Sequence, residues 1–302
     1  MFKSKNSMSR ALVRRETTAG YLFLLPSLFF FVTFVLYPMF LCLYTSFFDS
    51  NMGKNAVDVF VGLGNYKELF RDKLFLGALK NTVIIVLVAV PTVCAFSLWV
   101  ATAIYDMKPA LTSAFRCIFY LPVVTGSVAV TVVWKWMYNS RYGVFNYLFK
   151  SLGIIDQNIN WLGDARFALW CIILILFTTS VGQPIVLYVS ALGNVDHSLV
   201  EAAQVDGANR RQVFWKIKWA QIMPTTLYIL IITTINSFQC FALIQLLTSG
   251  GPTHSTDTIM YYIYYNAFKL YRYGYGNAMG VVLMIIIAVL SAVQFKLGQQ
   301  SD

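Results

Sequence analysis

Charge is what this chain has least of. Asp, Glu, Lys and Arg together supply 12% of its 302 residues, about half the share of an ordinary soluble domain, so a water-soluble globule is excluded. Only two histidines occur, His197 and His254, far apart in sequence. With no His-Glu-x-x-His and no Gly-x-Ser-x-Gly, neither metal-assisted hydrolysis nor a serine nucleophile has its residues. No carboxylate pair interrupts an apolar run, which leaves ion coupling through intramembrane acids without its groups. The Gly-x-x-x-x-Gly-Lys-Ser/Thr loop is missing, so any ATP spent with this protein is hydrolysed by another polypeptide. The five cysteines, Cys42, Cys94, Cys117, Cys171 and Cys240, share no short spacing and read as small hydrophobes rather than ligands or disulfide partners. The expectation is a chain with no catalytic residue, no metal and no cofactor of its own.

What is abundant is apolar surface: hydrophobic residues make 58% of the sequence. A membrane-crossing helix needs about twenty such residues, and runs of that kind occur near Gly20–Phe47, Asn81–Tyr105, Phe115–Tyr138, Phe167–Leu192, Thr225–Leu247 and Asn277–Phe295. The pattern predicts an all-α membrane protein of six transmembrane helices, with a short segment 1–19, a membrane domain 20–295 and a tail 296–302. The first run is too long for a signal peptide and lacks a small-residue cleavage site. Lys3, Lys5, Arg10, Arg14 and Arg15 ahead of it place the N-terminus in the cytoplasm by the positive-inside rule. Six crossings then return the C-terminus to the same side. The net charge of +10 is dispersed over loops and suits membrane lipid better than nucleic acid.

Between the fourth and fifth runs lies a polar island, residues 193–224, which the cost of burying ions in lipid keeps in water. Leu199 to Val205 are mostly good helix formers, Gly207 permits a positive φ, and Arg210 to Trp219 can resume as a helix with Val213, Phe214 and Ile217 opposite Arg210, Arg211, Lys216 and Lys218. The spacing Glu201-Ala202-Ala203, Gly207, Ile217 resembles the cytoplasmic coupling loop of binding-protein-dependent ABC importer permeases. The resemblance, which leans to the maltose and multiple-sugar type, extends over nearly the whole chain. It runs through Phe60-Val61-Gly62-Leu63-Gly64-Asn65-Tyr66, Leu79-Lys80-Asn81-Thr82, Phe119-Tyr120-Leu121-Pro122, Trp161-Leu162-Gly163-Asp164, Leu247-Thr248-Ser249-Gly250-Gly251-Pro252 and Tyr273-Gly274-Tyr275-Gly276-Asn277.

This resemblance implies a permease subunit in a bacterial cytoplasmic (inner) membrane, importing a carbohydrate by alternating access. It implies coupling to ATPase through Glu201, Ala202, Ala203, Asp206, Gly207 and Ile217. The implied partners are a pair of ABC ATPase subunits carrying ATP and Mg, a second homologous permease, and an extracellular or periplasmic solute-binding protein. Where the family continues with Leu-Pro, this chain has Trp219-Ala220, so a more helical exit from the loop is expected.

Sugars are held by hydrogen-bonding side chains, which directs attention to polar residues inside the runs. Thr233, Asn236 and Gln239 recur at three-residue steps on the fifth, and Thr179 and Gln183 lie four apart on the fourth, beside Pro184. Polar residues also tie transmembrane helices together. Lys135, between Trp134 and Trp136, reads as a snorkelling lysine at the outer end of the third run. The tyrosines of 261–275 read as an interfacial aromatic belt. An ion-coupled secondary transporter and a membrane scaffold are the alternative classes, and neither accounts for the loop at Glu201.

Overall fold

The computed structural model describes the backbone of residues 3–50 and 58–299 and the side chains of 16–50 and 58–298. The basic residues from Lys3 to Arg15 therefore lie outside the described side chains, as do the ends of the two expected terminal segments. The chain opens with α1 (Lys3–Phe31), which passes through a π-helical turn at Val32–Leu36 into α2 (Tyr37–Thr45). The backbone is helical across residue 20 without a break, and the region Glu16–Thr45 is apolar enough to cross a membrane. A two-residue antiparallel pair follows, β1 (Phe48–Asp49) with β2 (Val59–Phe60), a small departure from the all-helical expectation. The short helix α3 (Gly64–Leu69) leads into α4 (Lys73–Tyr105).

The remaining elements are α5 (Pro109–Val124), α6 (Ser127–Met137), α7 (Val144–Ser151), α8 (Ala168–Ser180), α9 (Gly182–Gly193), α10 (His197–Val205) and α11 (Arg210–Val213). A π turn at Phe214–Lys218 joins α11 to α12 (Trp219–Phe238), then come α13 (Ala242–Leu247), α14 (Ile259–Tyr264), a π turn at Tyr265–Lys269 and α15 (Tyr273–Gln299). Among the described residues five helical segments are long and apolar enough to span a bilayer.

The third expected span is not a straight helix. It is the pair α5 and α6, bent by 96°. Pro122 cannot donate to the Ile118 carbonyl, and Thr125 takes up an extended conformation at φ −76°, ψ 127°, so the helix stops and Gly126 starts another. Lys135 and its flanking tryptophans accordingly sit on α6, beyond the bend.

The core of the bundle is α4, α9 and α12. Val93, Val100, Ala101 and Ile104 of α4 meet Ile185, Tyr188, Val189 and Leu192 of α9 and Ile222 and Ile229 of α12, all buried. Gly182 lets α9 approach α5 closely, because a Cβ there would overlap the Phe119 carbonyl. Ser97 on α4 donates to the Val181 carbonyl at 3.2 Å, satisfying backbone at the junction of α8 and α9. By contrast no residue in the most apolar stretch of Glu16–Thr45 is buried, so the first span presents itself to lipid or to a neighbouring subunit.

The opposite end from α10 and α11 is tied by long-range polar contacts. Asn81 on α4 donates to the carbonyls of Ser255 and Asp257 at 3.1 and 3.0 Å, and the Ile259 amide donates to Thr82 Oγ1 at 3.0 Å. Asp72, which caps α4 through the Leu74 amide at 2.8 Å, also accepts the hydroxyls of Tyr262 at 2.7 Å and Tyr275 at 2.8 Å. Tyr261, Tyr262 and Tyr275 are buried, so this part of the tyrosine cluster is interior packing and not the expected belt. Phe268 and Tyr271 remain exposed.

Candidate functional site

A cavity of about 340 Å³ opens where the α5–α6 break faces α8, α9, α12 and α13. Its lining brings together four of the five polar residues singled out from the sequence: Thr179, Gln183, Thr233 and Asn236. Gln239 does not join them. It caps the C-terminus of α12 and is exposed, because the helix ends one residue earlier and the three-residue step is lost. Thr179 is bonded within its own helix, donating to Ile175 and Leu176 carbonyls at 3.0 and 3.1 Å.

Thr125, Ser127 and Ser180 also line the cavity and were missed. The signal was present as Thr125-Gly126-Ser127, a small polar interruption two residues beyond Leu121-Pro122 in an otherwise apolar run. The break has a chemical consequence. The end of α5 offers carbonyls and the start of α6 offers amides that no helix partner uses, and Gly126 supplies no side-chain cap. Pro184 likewise leaves the Ser180 carbonyl without its usual donor.

The second region is the loop between α9 and α12. Asp196 caps α10 by accepting from the Ser198 amide at 2.9 Å. Hydrogen bonds from the Ser198 side chain and backbone hold its carboxyl below the usual value. At the other end Gly207 adopts φ +82°, its amide bonds the Gln204 carbonyl at 3.0 Å, and the Ala208 amide bonds the Ala203 carbonyl at 2.9 Å. That pair of bonds is a Schellman motif, which requires a left-handed residue where Gly207 stands. Two residues later a capping box starts α11: the Gln212 amide donates to Asn209 Oδ1 at 2.9 Å, and the Asn209 amide to Gln212 Oε1 at 2.8 Å.

Glu201, Ala202, Asp206 and Gly207 are exposed on this knob, while Ala203 and Ile217 are half-buried. Val213 is buried and Arg210, Arg211 and Lys216 are exposed, as the helical spacing predicts. Lys218 lies with its ammonium 5.4 Å from the Tyr105 ring centroid. Val205 is 88% exposed, an uncovered apolar side chain one helical turn from Glu201. The helix runs on through Trp219 and Ala220 into α12, the helical exit expected from the missing proline.

The family described as "Binding-protein-dependent transport system inner membrane component" matches residues 61–299. The probable ABC transporter permease protein YesP of Bacillus subtilis is 33% identical over 288 residues, 94% of this chain and 91% of that protein. The lactose transport system permease protein LacF of Rhizobium radiobacter is 33% identical over 288 residues, 94% of this chain and 95% of that protein. The same fold occurs in a bacterial ABC transporter involved in the import of the acidic polysaccharide alginate, with a TM-score of 0.79 at 23% identity over 97% of this chain and 99% of that one. A family match over most of the length, joined to a bundle of apolar spans with a polar knob and an uncharged cavity, makes this chain a multi-pass member of the binding-protein-dependent transport system inner membrane components.

Proposed function

We propose that this chain is the permease subunit of an ATP-driven ABC importer that brings a carbohydrate into the cell by alternating access. The observation that carries the reading is the cavity at the broken third span. Ser127, Ser180, Gln183, Thr233 and Asn236 line it with hydrogen-bonding groups that have no partner among the described residues. Unpaired hydroxyls and amides facing a membrane cavity are costly unless a solute or water takes their bonds, and a sugar supplies donors and acceptors at the density this lining requires. Relatives named for sugar transport, such as the lactose permease above, support the same solute class.

The drive comes through the knob. Glu201, with Ala202, Ala203, Asp206 and Gly207 beside it and Ile217 behind, seats in a cleft of a separate ATPase subunit, where ATP and Mg are held and hydrolysed. Exposed Glu201 and Val205 fit an interface that pairs one charge and one apolar contact. A pair of ATPases, a second permease and an external solute-binding protein complete the assembly, with both termini and the knob on the cytoplasmic side. The test is purification of the tagged chain from cells expressing its neighbouring genes, followed by reconstitution into proteoliposomes. A nucleotide-binding subunit should co-purify, and ATP- and binding-protein-dependent uptake of a labelled oligosaccharide should follow. Vigorous ATP hydrolysis by the isolated chain, or uptake driven by an ion gradient without ATP, overturns the proposal.

A further inference from the structure

Family membership does not decide the charge of the cargo, since a relative is named for lactose and a protein of the same fold for an acidic polysaccharide. The cavity does bear on it. Its lining contains no Asp, Glu, Lys, Arg or His; every polar side chain in it is a hydroxyl or an amide. Thr233 is only 6% exposed, yet its hydroxyl has no partner among the described residues and borders the cavity. The cations of α5 and α6, Arg116 and Lys135, both lie off the lining. The backbone at the break adds carbonyls from α5 and amides from α6, and because the C-terminus of one helix adjoins the N-terminus of the other, their opposite partial charges offset each other.

Resting on the carbohydrate reading above, we infer that this chain's half of the pathway takes uncharged carbohydrate and rejects acidic sugars. A carboxylate entering a cavity of this size inside the membrane loses its hydration and needs a cation or a set of convergent donors in exchange. Gln183 and Asn236 can each donate, but each also presents a carbonyl oxygen, and the hydroxyls have already to divide their bonds between donating and accepting. A sugar hydroxyl is indifferent to that division because it does both. The walls are therefore matched to neutral polyols and unmatched to anions.

The experiment uses the reconstituted complex with its binding protein and two labelled probes of equal length, a neutral malto- or xylo-oligosaccharide series and a galacturonate series. Only probes that the binding protein itself retains, by calorimetry, are scored. The wild-type complex is expected to take up the neutral series, with uronates at least roughly tenfold slower. The near-isosteric variants Gln183→Glu and Asn236→Asp should lower neutral uptake roughly tenfold at undiminished yield of assembled complex, and Gln183→Lys should raise uronate uptake relative to neutral. Uronate uptake as fast as neutral uptake by the wild type, or unchanged selectivity in all three variants, overturns the inference and leaves the carbohydrate reading standing. Uptake of no carbohydrate while another solute class is moved overturns both.

Discussion

At the scale of single residues, several polar side chains away from the cavity hold distant segments together. Asp72 is the clearest case, since it caps α4 and receives two tyrosine hydroxyls from α14 and α15. Burial pushes its carboxyl up, but the bonds from Tyr262, Tyr275 and the Leu74 and Phe75 amides outweigh burial and leave it below its usual value. A carboxyl lowered in the folded state stabilises above the unfolded value of about 3.9 and loses that contribution as pH falls through the folded one. Asp72→Ala should therefore cost about 1–2 kcal/mol at pH 7 and less at pH 3. Melting temperatures of the purified protein at the two pH values check it, and an equal loss at both removes the ionic part of the account. In the sequence Asn81-Thr82 was legible only as a motif. Its reason, an amide and a hydroxyl reaching a segment about 175 residues later, depends on tertiary contacts that no local pattern encodes.

At the scale of elements, the knob between α9 and α12 was legible because its signals are local. Gly207 had to be at positive φ for the chain to leave α10, and it is. A Cβ at Gly207 would meet nothing within 4 Å, so the cost of substitution is backbone strain alone. That strain is about 1–2 kcal/mol for an ordinary residue and more for a β-branched one. Gly207→Asn, which tolerates the left-handed region, should keep ATPase co-purification and uptake. Gly207→Val should lose both while the protein still inserts in the membrane. Equal behaviour of the two variants would mean that φ at this position does not matter. The break between α5 and α6 was not legible, since proline is common in transmembrane helices and often only bends them. What decides it is the extended Thr125 and the close approach of α9 at Gly182. Gly182→Leu is expected to push α9 from α5, reducing uptake and lowering complex yield together, as read by transport assay and gel filtration.

For the whole molecule, a 96° bend allows α5 and α6 two courses, across the membrane or back to the side they came from. Length favours crossing. The sixteen residues of α5 rise about 24 Å, most of the roughly 30 Å of a hydrocarbon core, before α6 turns aside. A crossing also makes six in all and puts both termini and the knob at Glu201 on one side, as the proposed coupling requires, whereas a re-entrant pair would leave the end of α4 and the start of α8 on the same face. Lys108 and Gln157, both exposed, flank the pair and report its outcome. In a background with the five native cysteines replaced by alanine, Gln157→Cys should react with a membrane-impermeant maleimide in intact spheroplasts. Lys108→Cys and Asp206→Cys should react only after permeabilisation. Labelling of Lys108→Cys and Gln157→Cys from the same side would make the pair a re-entrant element, reduce the crossings to five and detach the cavity's broken helix from the transport path argued for it.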